Sequence, residues 1–210
     1  MITIHHLGVS QSDRVVWLME ELGLPYDLKW YNRGADRLAP PEYLALHPAA
    51  TAPVIDDGDL RLTESAVILE HICHKHGGGR FTRGPADDTY SDYLYWMQFN
   101  NSILGLYFAK MALAAGGAEG DAAARMGGLI ARRQDKYGDY LEQKLGEAPY
   151  LAGQDLSCAD IMMMFNLTTL PLFADRLDKM PNTKAYIARV TARPAYVKAM
   201  EIAGPKATAP

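Results

Sequence analysis

The stretch His5-His6-Leu7-Gly8-Val9-Ser10-Gln11-Ser12-Asp13-Arg14-Val15-Val16-Trp17-Leu18-Met19-Glu20-Glu21-Leu22 decides the fold. Two periodicities meet in it. Ile2 to Leu7 alternates branched and polar residues, the pattern of a strand. From Asp13 onward Val15, Val16, Leu18, Met19 and Leu22 fall on one face of a 3.6-residue repeat, and Gly23 ends it. Gly8 and two serines, Ser10 and Ser12, separate the two patterns. The unit is strand, loop, helix, with hydroxyls and no cysteine where the helix begins.

Working outward, Tyr26 to Tyr31 reads as a second strand, and the βαβ spacing makes it parallel to the first. A polar loop with Pro40-Pro41 precedes a short helix over Glu42–Leu46. Pro53 to Asp56, a turn at Asp57-Gly58 and Leu60 to Leu62 make a hairpin signal. Thr63 suits the N-cap of a helix over Glu64–His76. The order βαβ then ββα predicts a thioredoxin-like α/β domain, residues 1–78, with a four-stranded mixed sheet. The Gly- and Pro-containing segment 79–86 reads as a linker. Everything after it reads helical. Long helices are predicted over Asp87–Ala115 and Asp121–Leu145, an apolar one within Gly153–Leu170, and shorter ones near Thr183–Ala192 and Pro194–Ile202. An all-helical bundle domain is therefore expected over 87–203, and a flexible tail over 204–210.

The 210 residues are 49% hydrophobic and 22% charged, which suits a globular chain with a core. A net charge of −4 offers no basic field to a nucleic acid or an anionic membrane, so neither partner is expected. Arg132-Arg133 reads as a solvated helix face. Cys73 and Cys158 are far apart, fit no metal or redox spacing, and read as buried inert thiols. The start lacks a signal-peptide pattern and no run is long enough to span a bilayer, which predicts a cytoplasmic protein.

In a thioredoxin-like unit the first helix presents free N–H groups and the positive end of its dipole, a place for an anion. Ser10-Gln11-Ser12 cannot exchange disulfides there, but a serine hydroxyl can donate to a thiolate carried by a ligand. A thiol has a pKa of about 8.5, and lowering it by about two units takes roughly 2.7 kcal/mol of anion stabilisation. One hydroxyl and oriented amides are a reasonable source of that amount. The plainer reading is that Ser10 with Asp13 forms a capping box, or that Ser12 caps the helix. Ala52-Pro53 stands where this topology places a cis peptide facing the loop; the plainer alternative is a trans proline that merely opens a strand. Glu64-Ser65 at a helix start suits an ammonium and a carboxylate, or simply a favourable first turn.

Taken together, Ser10 to Arg14, His47 to Ile55, Leu62 to Ile72 and Tyr150 to Ile161 resemble the cytosolic glutathione transferases over nearly the whole chain. In serine-type members the activating hydroxyl lies four residues before an arginine, which selects Ser10 ahead of Ser12. The pattern H-H-L-x-x-S-x-S-x-R with A-P-P-E is most similar to a fungal and bacterial subgroup. The resemblance implies that glutathione binds to Ser10, Thr51, Ala52, Pro53, Glu64 and Ser65. It gives Ser157 and Asp160 a capping role in folding. It also implies a homodimer, no metal, and an apolar second-substrate pocket between domains, for which Tyr107, Met111 and Phe165 are candidate liners or plain core residues. Thr51 stands where lysine or glutamine is frequent, His47 where asparagine is commoner, and Asn101 where related members have glutamate.

The expected function is conjugation of the glutathione thiolate to small apolar electrophiles. A glutathione-dependent disulfide reductase or peroxidase on the same fold is an alternative. A non-catalytic interaction module is a third.

Overall fold

The computed structural model describes residues 1–117 and 120–209. Ala118 and Glu119, inside the expected helical domain, and Pro210 of the expected flexible tail lie outside the described residues. The elements are β1 (Ile2–Leu7), α1 (Asp13–Leu22), β2 (Tyr26–Tyr31), α2 (Pro41–Leu44), β3 (Val54–Asp57), β4 (Leu60–Thr63) and α3 (Ser65–Lys75). They are followed by α4 (Tyr90–Ala115), α5 (Asp121–Glu147), α6 (Cys158–Thr168), α7 (Pro181–Thr191) and α8 (Pro194–Ala203), with short 3-10 turns at Pro171–Phe173 and Leu177–Lys179. The chain divides into two compact units, Met1–Thr82 together with the chain from Val190 onward, and Arg83–Arg189.

In the first unit the sheet runs in the order β2-β1-β3-β4. β1 is parallel to β2 and antiparallel to β3, and β3 pairs antiparallel with β4. This is the mixed thioredoxin-like sheet that the element order predicts. Val15, Val16, Leu18 and Met19 of α1, Ile68, Leu69 and Ile72 of α3, and Ile4 and Ile55 of the sheet are all buried. Each such side chain is worth roughly 1.5–3 kcal/mol of transfer free energy. Gly23 closes α1 in the left-handed region at φ 65°, which a glycine adopts without a Cβ clash.

Several element edges differ from the sequence reading by a few residues, and three helix starts have a physical reason. α2 begins at Pro41, because a proline at the first helical position lacks only an N–H that would be unpaired there. Thr63 stays in β4 rather than capping α3. Glu64 stands at that helix start with φ 69° and ψ 114°, and its carbonyl accepts from Ile68 N–H at 3.0 Å. α4 begins at Tyr90, after a turn in which Tyr90 N–H donates to Asp87 O at 3.0 Å.

α8 packs on α1 within the first unit, although the sequence reading kept it with the helical segment 87–203. Trp17 is buried and meets Tyr196 edge-on at 4.9 Å. Arg193 grips Glu21 with two hydrogen bonds of 2.6 and 2.7 Å, and Lys198 pairs with Glu20 at 2.7 Å. Linear periodicity cannot show that a helix leaves one unit to cover another. Of the tail, Gly204 is buried and Ala207 N–H closes a turn on its carbonyl at 2.9 Å.

The second unit is all helical. α4 and α6 are joined by a buried amide pair, in which Asn166 Nδ2 donates to Asn100 Oδ1 at 2.7 Å and to its carbonyl at 3.0 Å. α4 and α5 meet through Trp96 stacked on Tyr140 at 5.3 Å and Phe99 against Tyr137 at 4.6 Å. Ser157 and Asp160 form the capping box at the start of α6. Both cysteines are buried and neither is in a disulfide.

Candidate functional site

The sheet register builds the site. Val54 pairs with His5 on one side and with Thr63 on the other. Residues just before Val54, just after His5 and just after Thr63 therefore gather at one end of the sheet. They are Ala52-Pro53, the loop from Gly8, and Glu64-Ser65. The Ala52–Pro53 peptide is cis. Thr51 is exposed, Ala52 half-buried and Pro53 buried.

The loop after β1 is held from β2 and beyond. Gly8 N–H donates to Tyr31 O at 3.1 Å, while Arg33 donates to the Gly8 and Val9 carbonyls at 2.8 and 3.2 Å. Five non-glycine residues among those described have positive φ, and three of them, Val9, Ala50 and Glu64, sit in the loops of this end of the sheet. Such backbone persists where the surroundings over-determine it, and clusters at functional sites.

Ser10 and Ser12 are both buried. Ser10 Oγ donates to Leu7 O at 2.6 Å and lies 2.7 Å from Ser12 Oγ. Ser12 Oγ lies 2.8 Å from His6 Nδ1 and 3.4 Å from Leu7 O. The result is a line of groups, His6–Ser12–Ser10, running from β1 to the loop. Each hydroxyl has one proton to give. Ser10 spends its proton on Leu7 O in this arrangement, and Ser12 is the neighbour positioned to take over that carbonyl when Ser10 turns to another acceptor.

The capping readings of these serines do not hold. Ser12 occupies the N-cap position with helical dihedrals, and its side chain makes no cap hydrogen bond because His6 has claimed it. Asp13 makes no box with Ser10 either. It is buried, and burial pushes its carboxyl up to about 7 against the pull of Arg14. His6 is buried against Trp30, with ring centroids 4.4 Å apart, and burial lowers its imidazole to about 4. It is therefore neutral at physiological pH.

Arg14 ties the loop to the third helix. It is buried, and its Nη1 donates to Gln11 Oε1 and, at 3.2 Å, to Ser65 Oγ. Burial lowers the guanidinium to about 10, which leaves it a cation near neutrality. Ser65 is buried at the first position of α3, and Glu64 before it is exposed. A helix N-terminus with a free-facing carboxylate beside it offers amides to an anion and a charge to a cation.

Sequence reasoning missed His6, Gln11 and Arg33, and used Arg14 only as a spacing mark. The alternation of β1, which sends His5 and His6 to opposite faces, was the available signal for His6. Nothing local marked Arg33, whose role depends on strand pairing.

In the second unit a cavity of about 660 Å³ lies between α4 and α5, lined by Leu106, Leu129, Ile130, Arg133, Lys136 and Tyr137 among others. Tyr107, Met111 and Phe165 do not line it. Tyr107 is half-buried, Met111 is 49% exposed and Phe165 is buried. Arg132 and Arg133 are exposed, as their reading as a solvated face expects.

Fold and site together define a thioredoxin-like unit with buried hydroxyls at its first helix, joined to an all-helical unit. A family model described as "Glutathione S-transferase, N-terminal domain" matches residues 10–75, and one described as "Glutathione S-transferase, C-terminal domain" matches residues 107–199. The chain belongs to the glutathione S-transferase family. It is 33% identical to Glutathione S-transferase 3 of Schizosaccharomyces pombe over 93% of this chain and 85% of that one. A solved glutathione S-transferase from Actinobacillus pleuropneumoniae matches with a TM-score of 0.85 and 34% identity, covering 98% of this chain and 95% of the other. A glutathione transferase family member from Pseudomonas fluorescens, solved with two glutathione bound, shares the fold at a TM-score of 0.79 and 23% identity, over 95% and 92% of the two chains. Among the described residues no helix is long and apolar enough to cross a membrane.

Proposed function

We propose that this chain binds glutathione at the sheet end just described and joins its thiolate sulfur to small apolar electrophiles. The cysteinyl backbone runs along Ala52-Pro53, with Thr51 near the glycyl end. The γ-glutamyl group meets Glu64 through its ammonium and Ser65 with the α3 N-terminus through its carboxylate. Ser10 donates to the thiolate. The thiol proton goes to solvent, sulfur forms a bond to the electrophilic carbon, and the leaving group departs with its electron pair. No metal takes part.

The observation that carries this reading is the convergence of Ser10, Ala52-Pro53 and Glu64-Ser65 at one end of one sheet, with Arg14 bridging loop and helix. The solved relative that holds two glutathione molecules supports the choice of ligand. Tyr107, Met111 and Phe165 border the acceptor pocket in this proposal. The protein works as a cytoplasmic homodimer of the serine-type fungal and bacterial subgroup, in detoxification, with no nucleic-acid or membrane partner.

The test is glutathione titration followed by turnover. Glutathione should bind with release of heat and produce the ultraviolet band of ionised sulfur at neutral pH. Glu64→Ala should weaken that binding. A chlorinated nitrobenzene should then be consumed faster than a mixed disulfide. The reverse preference would make the enzyme a disulfide reductase, and no binding at all would remove it from catalysis on glutathione.

A further inference from the structure

At the opposite end of the same sheet, away from Ser10, a second cluster of side chains stands apart from everything above. Asp57 ends β3, where its register partners are Ile2 at the start of β1 and Leu60 across the hairpin. Its carboxylate is only 8% exposed. His71 Nε2 and His76 Nε2 each lie 2.8 Å from the same oxygen, Asp57 Oδ2. His71 comes from the last turns of α3 and His76 from the residue that follows that helix. One nitrogen from each imidazole and one carboxylate oxygen all fall within 4.8 Å of one another.

We infer that Asp57, His71 and His76 form a binding site for one divalent transition-metal ion, with zinc the best fit. Two imidazole nitrogens and one carboxylate oxygen are a donor set that zinc accepts with a fourth, open position. His76 is the exposed member, so that fourth position faces water. Ligand atoms around a tetrahedral zinc, at about 2.0–2.1 Å from the ion, lie roughly 3.3 Å apart. The two contacts of 2.8 Å need to open by about half an ångström, and the two imidazole nitrogens, within 4.8 Å of each other, come to the same spacing around the ion. Both imidazoles now donate Nε2–H to Asp57. On binding, each turns that nitrogen's lone pair to the metal and carries its remaining proton on Nδ1.

Lys75 is the competitor. Its Nζ reaches the same oxygen at 3.1 Å, but its side chain is 54% exposed on a flexible stem and can withdraw to solvent. Imidazole donors disfavour magnesium and calcium, which prefer all-oxygen sites. Binding ties the β3–β4 hairpin to the end of α3, so the ion stabilises the first unit by mass action.

The experiment uses the full chain without an affinity tag, stripped of metal. Zinc is titrated against a chromophoric chelator, and cobalt is added for its visible bands. One ion should bind per chain, cobalt should give the intense bands of a tetrahedral site, and zinc should raise the Tm. His71→Ala and His76→Ala should each weaken zinc at least about tenfold and abolish the Tm rise. His74→Ala, on the exposed neighbouring side chain paired with Glu70, should change neither. Lys75→Ala, an exposed change that leaves the fold intact, should tighten zinc. The inference is overturned if wild type binds no zinc, or if the double variant His71→Ala/His76→Ala, with an unaltered circular-dichroism spectrum, binds as wild type does. Weaker zinc binding in Lys75→Ala overturns it too.

Discussion

Arg14 Nη1 donates to Ser65 Oγ at 3.2 Å, so two residues 51 positions apart share one buried hydrogen bond between the start of α1 and the start of α3. The same Nη1 holds Gln11 in the loop. A lysine ammonium is a compact, strongly hydrated charge on a flexible stem, and it does not hold a buried nitrogen in the fixed plane from which the guanidinium reaches both partners. Arg14→Lys should therefore lower kcat/KM with glutathione by about tenfold or more, which corresponds to about 1.4 kcal/mol. Steady-state kinetics with glutathione varied is the measurement. An unchanged value would separate the loop from the third helix in function.

Ser10 and Ser12 are predicted to differ. Ser10→Ala removes the donor to the thiolate and should cut conjugation about tenfold or more while glutathione affinity stays nearly constant. It should also raise the apparent pKa of bound thiol, read from the ultraviolet band against pH. Ser12→Ala leaves Ser10 in place but strips His6 of its partner, so its larger effect should fall on stability. If Ser12→Ala lost the rate and Ser10→Ala kept it, the roles would exchange.

His6 gives a pH signature with a definite sign. Its Nε2 is buried and has no hydrogen-bond partner among the described residues, and its pKa is held down to about 4. The unfolded chain takes up a proton near pH 6.5 while the folded chain does not, so stability falls as pH drops from about 6.5 towards 4. Asp13, with its carboxyl raised to about 7, acts in the other direction over the same range. The clean measurement is a difference. Wild type should lose up to about 3 kcal/mol relative to His6→Asn between pH 6.5 and 4, by denaturant unfolding. A difference independent of pH would mean that His6 is protonated in the fold.

Asp160 should be the most costly single truncation in the second unit. Its two oxygens accept from Leu151 N–H at 2.9 Å, Ser157 N–H at 2.8 Å, Ser157 Oγ at 2.9 Å and Tyr186 OH at 3.0 Å. Asp160→Ala strands these donors in a buried place, at about 1–3 kcal/mol for each unsatisfied group. We expect loss of soluble folded protein, or a fall of at least about 4 kcal/mol in stability where it folds. Ser157→Ala removes only one of the donors and should cost about 1–2 kcal/mol.

The order of elements was legible because each is encoded locally. Alternation in Ile2–Leu7, the helical stripe after Asp13, Gly23 and the hairpin turn at Gly58 need no distant partner. Ser10, Ala52, Pro53, Glu64 and Ser65 were legible as a set because their spacing follows from that order. The boundary at Glu64 was misread because a residue with φ 69° is imposed by the junction of β4 and α3 rather than chosen by propensity. The packing of α8 on α1 was not legible, because nothing in Pro194–Ala203 says that Arg193 and Tyr196 will meet Glu21 and Trp17.

The chain by itself therefore determined the succession of strands and helices, the topology of the sheet and the residue types at the mouth of the first helix. All of these rest on interactions within a few residues and on the two backbone periods. Only the tertiary structure decided which groups share a proton or a charge. His6 stands on Ser12, Arg14 on Ser65, and two histidines on Asp57, because register and helix packing bring together side chains that are remote along the chain.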